Sequence, residues 1–183
     1  HQAGMLEHKQ NVFDDFIAAA EHLIAEGYTS AEHLAIRGGS NGGLLVGAVS
    51  NQRPDLFGAV VCSYPLLDMV RYHQFLVASF WVPEYGSSED PEQFAYIYRY
   101  SPYHNVDETA TYPATLYVTG DGDTRVAPLH GRKMAALMQA THGAETPVLL
   151  RYHTDAGHSG GQPISQQIEE MVDTVSFLLW QVG

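Results

Sequence analysis

The sequence predicts an α/β fold, a parallel sheet with flanking helices, and three observations carry that prediction. Short apolar runs at 33–37, 59–63, 115–119 and 148–153 alternate with stretches of helical periodicity, and parallel strands need such crossovers between them. The stretch from His33 to Gly47 passes from an apolar run through a glycine-rich turn into a small-residue helix. Finally, the loops after the first, third and fourth runs hold Ser40, then Asp121 and Asp123, then His158. In open parallel sheets, chemistry collects at the carboxyl ends of the strands, where these loops lie.

Each element follows from local pattern. Residues 1–10 are polar and unpatterned. Val12, Phe13, Phe16, Ile17, Ala20, Leu23 and Ile24 recur at helical spacing, which predicts an amphipathic helix over 11–26 closed by Gly27. A turn at 29–32 leads into the first strand, 33–37, with Ser40 beyond its end and a helix over 41–51. A loop at 54–58 precedes the second strand, 59–63. The segment 66–80 reads as partly helical, 81–91 as a loop with turn signals at Pro83, Gly86 and Pro91, and 92–100 as a short helix. An irregular connection over 101–114 leads to the third strand, 115–119. The loop 120–125, a helix over 127–141 with Met134, Leu137 and Met138 on its apolar side, and the fourth strand, 148–153, follow. A loop at 154–163 and an amphipathic helix over 164–180 close the chain. No repeat, low-complexity tract or linker divides it, so one domain over 1–183 is expected.

Composition bounds the partners. The 183 residues are 45% hydrophobic and 16% charged, which suits a globular domain with a real core. The formal net charge is −12 with 9 Lys and Arg, which argues against nucleic acid and anionic membrane surfaces. Cys62 is the single cysteine, so no internal disulfide forms, and a reducing, cytoplasmic compartment fits. No apolar run approaches membrane-spanning length and no signal peptide is visible. The first residue is His1 rather than Met, so the chain is expected to be processed or cut from something longer.

The chemistry centres on Gly38-Gly-Ser40-Asn-Gly42, the G-x-S-x-G pattern of a nucleophile elbow. A serine on a tight strand-to-helix turn projects its Oγ clear of the sheet, and the positions around it, Gly38, Gly42 and Gly43, are expected to be small because chain and helix pass closely. The helix start places backbone N–H groups near an oxyanion formed at Ser40. A serine hydroxyl needs a base. His158, in a glycine-rich loop after the last strand, is the candidate. An acid must orient that imidazole, and Asp121 and Asp123 both offer a carboxylate. Serine, acid, histidine is the chain order of α/β-hydrolases. His104, His130, His142, His153 and His158 lack metal-ligand spacing such as H-E-x-x-H, so neither metal nor cofactor is expected.

Asn11-Val-Phe-Asp-Asp-Phe16, Gly38-Gly-Ser-Asn-Gly-Gly-Leu-Leu45, Asn51-Gln-Arg-Pro-Asp-Leu-Phe57, Tyr100-Ser-Pro-Tyr-His-Asn-Val106 and Asp123-Thr-Arg-Val-Ala-Pro-Leu-His130 together resemble the prolyl oligopeptidase family of serine peptidases. The resemblance runs from about Gln10 to the C-terminus. It implies an α/β-hydrolase-like sheet with Ser40 as nucleophile, Asp123 rather than Asp121 as the acid and His158 as the base. It also implies the Asn41 backbone N–H as an oxyanion donor and Arg125 as the group that holds a substrate carbonyl. Trp81 matches the indole that stacks on a substrate proline ring, with Phe80 as a neighbour and Tyr85 and Val82 as further lining.

The resemblance also implies parts that the sequence does not contain. The family carries a β-propeller and several strands ahead of the helix matching 11–26, together with an upstream tyrosine hydroxyl as second oxyanion donor, for which Tyr28 is wrongly placed. Losing one such donor costs about 2.7–4 kcal/mol of transition-state stabilisation, so weak hydrolysis is the expectation. Without the propeller, selection for short peptides should be lost. Without the upstream strands, the edge beside 33–37 is exposed, and pairing into a homo-oligomer is expected there. The expected substrates are small prolyl peptides or amides. Alternative readings are a carboxylesterase acting on short-chain esters and a non-catalytic, self-associating fragment with a relic triad.

Overall fold

Four parallel strands form the sheet of the computed structural model: β1 (Ala35–Gly39), β2 (Ala59–Ser63), β3 (Ala114–Gly120) and β4 (Val148–His153), in the spatial order β1-β2-β3-β4. The structure describes residues 1–144, 146–154, 157–158 and 163–183. Each strand returns to its neighbour through a crossover, as parallel pairing requires. The helices are α1 (Gln10–Ala25), α2 (Asn41–Gln52), α3 (Val82–Tyr85), α4 (Pro91–Tyr100), α5 (Leu129–Thr141) and α6 (Ile164–Val182).

The alternation of side chains along the central strands sorts the core into two layers. On one face, Val60, Cys62 and Tyr117 pack with Phe13 of α1, Leu44 and Val49 of α2, and Met134 and Met138 of α5. On the other, Ala59, Val61, Leu116 and Val118 pack with Phe177 of α6. Strands covered on both faces read as continuous apolar runs rather than alternating ones, which is why 59–63 was legible to the residue. α1 ends as its Gly27 predicts: Gly27 sits at φ 72, with its N–H on the Ile24 carbonyl and that of Tyr28 on the Leu23 carbonyl, the paired bonds of a Schellman motif. α4 is capped by Asp90, whose side chain accepts from the N–H groups of Glu92 and Gln93.

Three expectations shift. The segment 81–91, read as a loop, holds the helical turn α3 (Val82–Tyr85). The first strand begins at Ala35, not at 33, and runs through Gly39, because Gly38 and Gly39 pair with Cys62 and Ser63, while His33 ends a 3₁₀ turn. The segment 66–80 contains only the 3₁₀ turns Tyr72–Gln74 and Ala78–Trp81. Leu66, Leu67, Met69 and Tyr72 are buried by tertiary anchors instead, while Leu76, Val77 and Phe80 are exposed. The Met69 N–H donates to Ser101 Oγ at 2.9 Å, and the Tyr72 hydroxyl donates to the Gly86 carbonyl. Asp68, fully buried, takes Lys133 Nζ at 2.5 Å and Arg71 Nε at 2.9 Å. Burial opposes its ionisation, but these cationic donors outweigh burial and hold its carboxyl below the ordinary range.

β1 has β2 as its only strand partner among the described residues. α6 turns Ile168, Met171, Val172, Val175 and Leu179 outward, each at least 42% exposed. No helix is long and apolar enough to cross a membrane among the described residues.

Candidate active site

The site begins with a backbone constraint. Ser40 sits between β1 and α2 at φ 58, ψ −120, a region that is strained for any residue with a Cβ. Ladder and helix hold it there. Its N–H donates to the Ser63 carbonyl at 2.9 Å, and its own carbonyl accepts from Gly43 and Leu44 at 2.9 and 3.1 Å. Two glycines make this turn sterically feasible. A Cβ on Gly38 would fall on the Gly42 carbonyl, and one on Gly43 would lie 2.7 Å from Pro65. Gly42 itself is not crowded: a Cβ there meets nothing within 4 Å. What matters at Gly42 is its carbonyl, which the chain lays across Gly38.

β3 delivers the acid. Asp123 follows it by three residues and is 3% exposed. Its Oδ1 accepts the N–H groups of Arg125 and Val126 at 2.9 and 2.8 Å, which fixes the carboxylate plane. Its Oδ2 is left for His158 Nδ1, at 2.7 Å. His158 Nε2 lies 3.0 Å from Ser40 Oγ, and the Tyr64 ring meets the imidazole edge-on at 5.8 Å. Asp121 turns elsewhere and accepts the Tyr152 hydroxyl. The structure therefore brings Ser40, Asp123 and His158 into one hydrogen-bonded line. Most of the glycine-rich loop around His158, residues 155–156 and 159–162, lies outside the described residues.

Beside Ser40 opens a cavity of about 250 Å³, lined by His1, Asn41, Leu66, Trp81, Glu84, Tyr85 and Arg125. The Arg125 guanidinium stands 5.5 Å from the Trp81 ring centroid, a cation–π distance. Asn41 is the first residue of α2, so its N–H has no acceptor within the helix. Its side chain is fixed by the Tyr85 hydroxyl, which donates to Oδ1 at 2.6 Å.

Phe80 is a correction. It is 79% exposed and does not line this cavity. Phe80 and Trp81 share a 3₁₀ turn, where successive side chains point about 120° apart, so a turn that aims Trp81 inward aims Phe80 out. Val82 likewise does not line it, whereas Tyr85 does. Tyr28, just after α1, is 77% exposed and is no part of the cavity. Sequence reasoning missed Leu66. The signal was available: Leu66 follows the carboxyl end of β2, the rim on which the other site residues gather.

A larger cavity, about 530 Å³, lies between β3, β4 and α6. Leu116, Leu149, Leu150, Phe177 and Trp180 line most of it. Among the described residues no cluster of three or more His, Cys, Asp or Glu could hold a metal ion. Cys62 is buried, its thiol donating to the Gly43 carbonyl at 3.2 Å, and desolvation pushes its pKa far up.

The chain as a whole is similar to known proteins. The family model of the prolyl oligopeptidase family matches residues 1–183. A prolyl endopeptidase of Dictyostelium discoideum is 47% identical over 97% of the chain, which covers 24% of that protein. One from Elizabethkingia miricola is 45% identical over the whole chain, covering 26% of it. Among solved structures, a prolyl endopeptidase superposes with a TM-score of 0.96 at 53% identity, over 100% of this chain and 27% of that one. A post-proline cleaving enzyme from Rickettsia typhi superposes with a TM-score of 0.96 at 37% identity, over 100% of this chain and 26% of that one. The chain thus spans about a quarter of the length of the curated relatives it matches.

Proposed function

Because the chain belongs to the prolyl oligopeptidase family, we propose that it is the serine-hydrolase part of a prolyl peptidase, cleaving peptide bonds after proline through an acyl-enzyme on Ser40. The observation that carries this reading is the position of His158, whose two ring nitrogens lie 3.0 Å from Ser40 Oγ and 2.7 Å from Asp123 Oδ2.

The chemistry follows from those contacts. His158 Nε2 takes the hydroxyl proton as Ser40 Oγ bonds to the substrate carbonyl carbon. The Asn41 N–H receives the negative charge that develops on the carbonyl oxygen. His158 then gives the proton to the departing amine nitrogen, the C–N bond breaks, and the acyl group stays on Ser40. Water repeats the sequence and frees the acid. Asp123 holds the imidazole tautomer and balances its charge, aided by the two N–H groups that lock its other oxygen. The proline ring rests on Trp81 in the cavity, with Leu66 and Tyr85 as walls, and Arg125 donates to a carbonyl of the bound peptide.

Labelling with a fluorophosphonate probe, with Ser40→Ala as control, tests this. Stoichiometric labelling that vanishes in the variant is expected. A folded chain that does not label overturns the reading in favour of a non-catalytic unit. Comparing turnover of a prolyl amide with that of a p-nitrophenyl ester then separates peptidase from carboxylesterase. Turnover of the prolyl amide that is lost in Ser40→Ala supports the peptidase, whereas a chain that cleaves only the ester, whose nitrophenolate leaves more readily, supports the carboxylesterase.

A further inference from the structure

Lys9 stands at the head of α1, 3% exposed. Placing an ammonium there is unfavourable unless it is paired, and two groups meet it. Glu84 Oε1 accepts from Nζ at 2.9 Å, while the other carboxylate oxygen faces His1 Nε2 at 2.9 Å. Nζ also lies 5.0 Å from the centroid of the Tyr85 ring, which is itself 4% exposed. Both partners sit on α3, the short turn that follows Trp81. A hydrophobic residue of similar length would fill the same volume without the desolvation penalty, so packing does not explain the charge.

The charge has a consequence one contact further on. A cation over the phenol face draws electron density from the ring and makes its hydroxyl a better donor. Burial keeps that hydroxyl protonated by raising its pKa. The hydroxyl donates to Asn41 Oδ1 at 2.6 Å. Asn41 is thereby held at both ends, by its side chain on Tyr85 and by its backbone behind the strained Ser40, at φ 58. Its N–H vector is set by the Ser40–Asn41 peptide plane. Donors of this kind act only within about 0.5 Å and 10–20° of the productive geometry.

We propose that Lys9 is a positioning residue for the reaction at Ser40, acting through Tyr85 and Asn41 on the N–H that faces the developing oxyanion. This rests on the function proposed above.

The test uses the full chain as Lys9→Met, Tyr85→Phe and the double variant, followed by fluorophosphonate labelling rate, by kcat and KM on a prolyl amide, and by melting temperature. Each single variant is expected to lower kcat and the labelling rate about tenfold, less than loss of the donor itself, with KM changed less than about twofold. The double variant is expected to be no slower than the slower single variant, since both break one chain of contacts. Unchanged kcat with a lower melting temperature overturns the proposal, as does a rise in KM alone or additive losses in the double variant. If Lys9→Met does not fold, Tyr85→Phe decides, because it removes only the hydroxyl; unchanged kcat there overturns the proposal. Wild-type chain that neither labels nor turns over overturns the proposed function and this inference together. Equal rates in wild type and both single variants overturn this inference alone.

Discussion

Gly38 and Asp123 show how much of the site is decided by single atoms. At Gly38 one added methyl would collide with the Gly42 carbonyl, which is backbone and cannot step aside. Gly38→Ala is therefore expected to destabilise the chain by about 1–3 kcal/mol, the range of an overpacked interior, read as a lower midpoint in thermal or urea unfolding. Asp123→Asn is the opposite kind of change. Its Oδ1 acceptor bonds to Arg125 and Val126 can persist, so the fold should hold. The group facing His158 Nδ1 becomes an amide able to enforce the wrong tautomer. Under the proposed reaction, turnover should fall by about 10⁴-fold with little change in melting temperature. Ser40 stood out in the sequence through the glycine turn around it, whereas Asp121 and Asp123 were equal candidates on their own residues and only the family resemblance separated them. Phe80 was misread because its side-chain direction depends on the phase of a 3₁₀ turn, which composition does not reveal.

Among the elements, those that pack by simple periodicity were legible, and those held by buried polar contacts were not. The ranges of β2 and β4 and the Schellman ending of α1 follow from local pattern. The segment 66–80 does not, because its order comes from a buried polar cluster around Asp68 that joins residues far apart in sequence. His130 on α5 belongs to that cluster. Its Nδ1 accepts the Asp68 N–H at 3.0 Å, and burial pulls its pKa down to about 4. The ring is thus neutral when folded but protonates near 6.5 when unfolded. The stability it contributes is complete above pH 6.5 and is lost as pH falls toward 4. His104, lowered by burial as well, adds in the same direction. Urea unfolding should show roughly 3 kcal/mol less stability at pH 4 than at pH 7 from His130. A His130→Gln chain should show a flatter profile over that range. A wild-type profile that rises on acidification contradicts the assignment.

At the scale of the molecule, the parallel sheet and its helical layers agree with the sequence reading, because alternating strand and helix patterns leave few topologies. The sheet edge is where new behaviour is expected. Among the described residues β1 pairs with β2 on one side and with no strand on the other, and α6 carries an outward apolar row. We expect the 183-residue chain to self-associate through the β1 edge at micromolar concentration, and analytical ultracentrifugation reads this directly. A monomer across that range removes the expectation. A dimer that persists when Val175 and Leu179 are both changed to Glu places the contact at the strand edge rather than on α6.

Ser40, Asp123 and His158 follow the ends of β1, β3 and β4, with Ser40 and His158 separated by 118 positions along the chain. A covalent probe on Ser40 would therefore act as a gauge of the assembled sheet, since a one-residue slip of β3 or β4 would move the acid or the base by a full rise per residue, about 3.3 Å. Reactivity and tertiary order should then disappear together as the chain is unfolded, with the serine reporting on a structure far larger than its own neighbourhood.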